Sequence, residues 1–235
     1  MRLWFLPLLS IALTVTAGAA PIDLRQRTVS SSGQFVVYSL DPMVRSRVAS
    51  FAEELRGQVD ALLGFTGGQE QPIVITLDQA APDHHDAPVA FTLVQVESGF
   101  KVQIDVHIGE NPAEVNLQKH IVRALLLEYA YRETPDAVRG GQAYVEAPWW
   151  LVEGTLQILR KRDGGATADL FKRIIDTNKL PPLEQFLPPR HQEVEGSTAF
   201  AIDQACAMCL VQALLDQPDG RKNFTRFLRH LPNSK

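Results

Sequence analysis

Strand-like sequence in this chain is confined to the residues before Pro112, and beyond that point only helical periodicity is found. A run of strands followed by a run of helices suggests an α+β fold, with the helical part packed against or beside one small mixed sheet. Gln34 to Leu40 (QFVVYSL) is rich in β-branched and aromatic residues and reads as a strand. Asp41-Pro42 supplies a helix N-cap and a proline at the first helical position. Val44, Val48, Phe51, Leu55, Val59 and Leu62 then recur at spacings of four and three, an amphipathic stripe that Gly64 and Gly67-Gly68 end. Pro72 to Asp78 and Val89 to Val96 read as strands. After a turn at Ser98-Gly99, Phe100 to Ile108 alternates apolar and polar, so the last two strands predict a hairpin. Helices are expected at roughly 113–132, 148–161, 167–178, 197–216 and 219–230.

The first residues, MRLWFLPLLSIALTVTAGAA, place one arginine before an apolar run that ends in small residues, the order of a secretory signal peptide. The expected organisation is a signal peptide over 1–19, a short leader over 20–33 and a single domain over 34–235. Within that domain, 34–132 holds the sheet and a motif helix, and 133–235 is helical. The mature chain is expected to be secreted or periplasmic. No later stretch is read as membrane-spanning, so no membrane partner is expected after cleavage. Without Arg2 the mature chain has 22 basic and 27 acidic residues, and this mild acidity argues against a nucleic-acid partner.

The only cysteines, Cys206 and Cys209, fall inside the Ala- and Leu-rich run Thr198 to Leu215. A redox CxxC needs the helix N-terminus, where the dipole lowers the thiol pKa, so this pair reads as two small hydrophobes in a packed helix.

Two segments carry chemistry in their spacing. Leu117 to Arg132 reads LQKHIVRALLLEYAYR, and fifteen residues later Ala147 to Gly154 reads APWWLVEG. Together they resemble the two zinc-site segments of the gluzincin (peptidase MA-like) metallopeptidases, in which one helix carries HExxH and a later one carries a glutamate in a WLxEG-type stretch. Histidines four apart share a helical face and can grip one ion, while the adjacent glutamate activates the bound water. The resemblance implies a zincin-like fold. It puts Glu153 at the third-ligand position, Glu128 at the general-base position, and Leu127 and Tyr131 where the histidines belong. Leucine has no lone pair to donate, and tyrosine ligates only as a phenolate, with an ordinary pKa of about 10. The zinc site is therefore expected to be lost, with no metal, no cofactor and no catalytic residue. Glu128, Tyr131, Trp149, Trp150 and Glu153 remain as candidate residues of a binding cleft.

No other histidine is expected to restore the site. His120 lies eight residues before Glu128, about 12 Å along a helix. His107 falls on the polar side of a strand, His84-His85 in a polar loop, and His191 and His230 have no carboxylates at ligand spacing. If the cleft persists, Glu128 and Glu153 face each other across it, and they either share a proton beside the Tyr131 hydroxyl or splay into solvent. The plainer expectation is that Leu125 to Leu127 are core, that Glu128 pairs with Arg123 or Arg132 at the surface, and that the tryptophans anchor the helix start opened by Pro148.

Three functional expectations follow. The favoured one is a non-catalytic scaffold or binding module for an extended peptide or an envelope protein. The alternatives are a hydrolase with an atypical site using Glu128 and Glu153, and a structural component of the cell envelope.

Overall fold

The computed structural model describes residues 26–65, 70–79, 89–96, 99–108, 117–138, 144–162, 182–188 and 197–233, with 172, 173 and 176 as isolated positions. The expected signal peptide, His84-His85, His191 and nearly all of the helix expected at 167–178 lie outside these residues.

The first half forms one five-stranded mixed sheet with a single helix. Its strands are β1 (Arg27–Val29), β2 (Phe35–Tyr38), β3 (Ile73–Gln79), β4 (Val89–Val96) and β5 (Gly99–Ile108), in the spatial order β1-β2-β3-β5-β4. β2, β3 and β5 run parallel, whereas β1 and β4 are antiparallel to their neighbours at the two edges. Helix α1 (Pro42–Leu63) makes the parallel crossover from β2 to β3. Its ends are as the sequence dictates. Asp41 accepts from the Met43 N–H at 2.7 Å, and Gly64, at φ 78°, donates to the Asp60 carbonyl. The β4–β5 pair is antiparallel as expected, and the mostly helical second half bears out the α+β class.

Three expectations need correction. Arg27–Val29, placed in the leader, is an edge strand on β2; it is three residues long and largely exposed, so it carries no hydrophobic pattern. The stripe on α1 sits one position round from the one expected. Ala49 and Ala52 are buried with Leu55, Val59 and Leu62, while Phe51 is exposed, because close approach to the sheet favours alanine over a bulky ring. The third concerns residues 198–215, which are long and apolar enough, by length and composition, to cross a membrane; in this fold they form a helix packed on another helix.

Helix α2 (Leu117–Tyr131) and helix α3 (Trp149–Arg162) form the centre of the molecule. Every residue from Ala124 to Tyr131, and from Trp150 to Leu159, is buried, as required of a helix covered on all sides. The buried faces of β2, β3 and β5 (Phe35, Val37, Ile73, Ile75, Val102, Ile104) complete the same core. A short helix α4 (Leu183–Phe186) precedes α5 (Thr198–Leu215), capped by the Ser197 side chain, and α6 (Gly220–His230) closes the chain. Both cysteines are free and lie mid-helix in α5, Cys206 buried.

The α3–α5 contact is set by Gly154. A Cβ there would lie 2.4 Å from the Ala207 carbonyl oxygen and 2.5 Å from a Val211 methyl, so only glycine allows this separation. Gly57, mid-way along α1, has open space around its Cβ position. The two glycines should therefore respond oppositely to alanine. Gly57→Ala is expected to raise stability by about 0.5–1 kcal/mol, the helix-propensity difference. In Gly154→Ala the overpacking, about 1–3 kcal/mol, outweighs the same gain and lowers stability. Chemical denaturation of the two variants against the parent checks the signs.

Candidate functional site

The candidate residues lie on the two central helices, and the structure gives each an internal partner. Glu128 is 0% exposed, in the last turns of α2. Arg132, four residues on, grips it with two donors: Nε reaches Oε1 at 2.9 Å and a terminal nitrogen reaches Oε2 at 2.6 Å. The backbone N–H of Gln71, just before β3, donates to Oε1 at 2.9 Å. The Gln71 side-chain oxygen in turn accepts from the Phe100 N–H at the start of β5. Glu128 thus joins the end of α2 to the entry points of two strands.

Arg132 has a second contact. Its guanidinium lies 5.0 Å from the centroid of the Tyr129 ring, whose other neighbour, Phe65, is stacked at 4.0 Å. The Tyr129 hydroxyl donates to the Asp60 carboxylate on α1, and burial together with that carboxylate pushes its pKa far up. Tyr129 is therefore a fixed hydrogen-bond donor.

Glu153, 3% exposed on α3, forms an ion pair with Lys119 from the first turn of α2 at 2.7 Å. It also accepts from the Gln204 side-chain amide on α5 at 3.1 Å. Lys119 lies 5.5 Å from the centroid of the Phe200 ring. Glu128 and Glu153 are each closed by a separate cation, so neither expected arrangement is found. They share no proton beside Tyr131, and they do not splay into solvent.

Leu127 is 0% exposed, an ordinary core residue. The Tyr131 hydroxyl accepts from the Val145 N–H at 2.8 Å and donates to the Val145 carbonyl at 3.5 Å. Burial pushes its pKa above the ordinary tyrosine value, so the phenolate needed for ligation is further out of reach than in water. Trp150 is buried and tilted against Phe227 at 6.1 Å. Trp149, half-buried, donates its indole N–H to the Pro188 carbonyl at 3.0 Å and meets Phe186 edge-on at 4.8 Å. Of the five cleft candidates, only Trp149 is appreciably exposed.

A catalytic zinc keeps three protein ligands, and these positions do not fit it. One holds an aliphatic side chain, one a neutral phenol engaged by the backbone, and one a carboxylate paired to lysine. Among the described residues no group of three or more His, Cys, Asp or Glu side chains could hold a metal ion. His120 is half-buried in the first turn of α2, and His107 is half-buried on the sheet face opposite the core.

Sequence reasoning proposed the Glu128–Arg132 pair but placed it at the surface. The signal for burial was present in the unbroken apolar run on both sides of Glu128. Lys119 and Gln204 were missed because no local spacing links residues 34 and 51 positions from Glu153. Arg123, the other partner considered for Glu128, instead pairs with Glu146 at 2.6 Å and lies over the Phe91 ring at 4.2 Å. Comparison with family models, with curated proteins and with solved structures finds no match to this chain.

Burial pushes the Glu128 carboxyl above the ordinary carboxylate range, against the downward pull of Arg132 and of the Gln71 N–H. A carboxyl that holds its proton more tightly folded than unfolded favours the folded state as pH falls through its folded pKa. Removing Arg132 enlarges that upward shift. Arg132→Met is therefore expected to cost about 3–5 kcal/mol at neutral pH, the toll of a buried charge left unpaired. The deficit should shrink as pH falls toward 5 and Glu128 takes up a proton. Urea denaturation of parent and variant at several pH values measures this, and a pH-independent difference would contradict it.

Proposed function

We propose that this chain is an exported, non-catalytic domain on a gluzincin-like plan, acting as a scaffold or binding module for an extended peptide. The observation that carries the reading is the internal neutralisation of both family-matching carboxylates. Glu128 is enclosed by Arg132 and the Gln71 N–H, and Glu153 by Lys119 and Gln204. A general base must reach a water and a ligand must reach an ion. Buried ion pairs do neither, which also weighs against the hydrolase alternative. Export rests on the first nineteen residues, whose order is that of a signal peptide.

The binding role moves away from the buried cleft residues and onto the sheet edge. Among the described residues β4 has a neighbouring strand on one side only, and its eight residues are half-buried to exposed. An edge of that length accommodates an extended segment by strand addition, with backbone hydrogen bonds supplying affinity.

Metal analysis of the purified mature protein after exposure to zinc and dialysis tests the reading. No stoichiometric zinc and no hydrolysis of a peptide library are expected. One zinc per chain, lost in Glu153→Gln, would overturn it. So would peptide hydrolysis abolished in a folded Glu128→Gln variant.

A further inference from the structure

The C-terminal helix carries a charge pattern at odds with the rest of the chain. α6 holds four basic residues, Arg221, Lys222, Arg226 and Arg229, and no acidic one. Elsewhere 19 basic residues stand against 27 acidic, a formal charge of −8 opposite +4 on eleven residues. Lys222, Arg226 and Arg229 stand at i, i+4 and i+7, so they form one stripe, about 10 Å long, on a single helical face. All three are exposed. Lys222 and Arg226 have no acidic partner among the described residues. Arg229 meets Glu133 at 2.8 Å, with both side chains about half exposed, a weak surface pair that water and salt readily replace.

The opposite face of α6 is seated in the core through Phe224 and Leu228. At its margin Phe227 remains 40% exposed, packed against Trp150. Trp149, next to it at the start of α3, holds Phe186 of α4, and the flanking Leu183 and Leu187 are exposed. The adjacent tryptophans thus bring exposed leucines and a phenylalanine to the same helix start that α6 borders. Cations in a row beside exposed Phe, Leu and Trp are the composition of a surface that lies on a lipid interface, with charges at the phosphates and apolar groups just below them. An acidic protein would satisfy the stripe but gives no reason for the apolar margin.

We infer that the outer face of α6, with Phe227, Leu183 and Leu187 beside it, is a peripheral docking surface for an anionic lipid bilayer. The inference stands apart from the loss of zinc. It departs from the sequence-based expectation of no membrane partner, because the three cations are scattered in the linear sequence and align only once the helix forms. The attachment is reversible and electrostatic, each cation near an anionic surface contributing about a fivefold gain in partitioning.

The test is flotation of the mature full-length protein with vesicles of phosphatidylcholine alone or mixed with phosphatidylglycerol. Binding is expected only to the anionic vesicles and to disappear at about 1 M salt, where screening reaches a few ångströms. The exposed triple variant Lys222→Gln, Arg226→Gln, Arg229→Gln, with an unchanged circular dichroism spectrum, should bind on the order of a hundredfold less. Phe227→Ser should weaken binding while retaining its salt dependence. Equal binding by parent and triple variant, or no binding to anionic vesicles, overturns the inference. Capture of polyglutamate without vesicle binding also overturns it, in favour of an acidic protein partner.

Discussion

The carboxylate of Glu128 is the constraint around which the first half of the molecule is arranged. A charge wholly removed from water costs several kcal/mol unless donors replace the lost hydration. Three do so here: two from Arg132 and one from the Gln71 backbone. Meeting that demand fixes where the chain must run. Gln71 has to approach the end of α2 just before β3 begins, and its side chain then reaches the first residue pair of β5. Arg132 must lie flat beside Tyr129, which places the Tyr129 hydroxyl against Asp60 on α1. One buried charge therefore orders α1, α2, β3 and β5 relative to one another.

The helical half follows a similar rule at the other end of α2. Lys119 reaches across to Glu153, and Gln204 approaches it from α5. The approach of α5 is possible because the next residue, Gly154, has no side chain to hold the helices apart. The glutamate and glycine of the WLVEG segment thus have a complete structural explanation: one is a cross-helix ion pair, the other a close contact. Tyr131 likewise ties α2 to the segment leading into α3 through both polar atoms of the Val145 peptide unit. Residues that read as a damaged catalytic motif are in this fold the fastenings between its elements.

The element order was legible because its signals are local. The Asp41-Pro42 cap, the Gly64 stop, the alternation in β5 and the apolar runs of α2 and α3 all act within a few residues. Less legible was whatever depends on contact across the fold. β1 is too short and exposed to show a pattern, and the parallel β2-β3-β5 order has no local marker. Phe51 fits the helical stripe yet faces out, since the sheet approaches closely enough to prefer Ala49 and Ala52. Of the site, Glu128 and its neighbour Arg132 were readable as an i,i+4 pair, but their depth was not, because burial is a property of everything packed around them. The basic face of α6 was hidden for a different reason. Its residues are spaced for a helix, whereas a search for charge runs looks along the chain.

The central claim is that Glu128 persists as one half of a structural ion pair and not as the remnant of an open active site. A double-mutant cycle in stability, with Glu128→Gln, Arg132→Met and the two combined, measures this directly. The account predicts strong coupling, on the order of 2–3 kcal/mol, because the second change removes the partner that the first leaves unsatisfied. Additive effects from the two substitutions would contradict it.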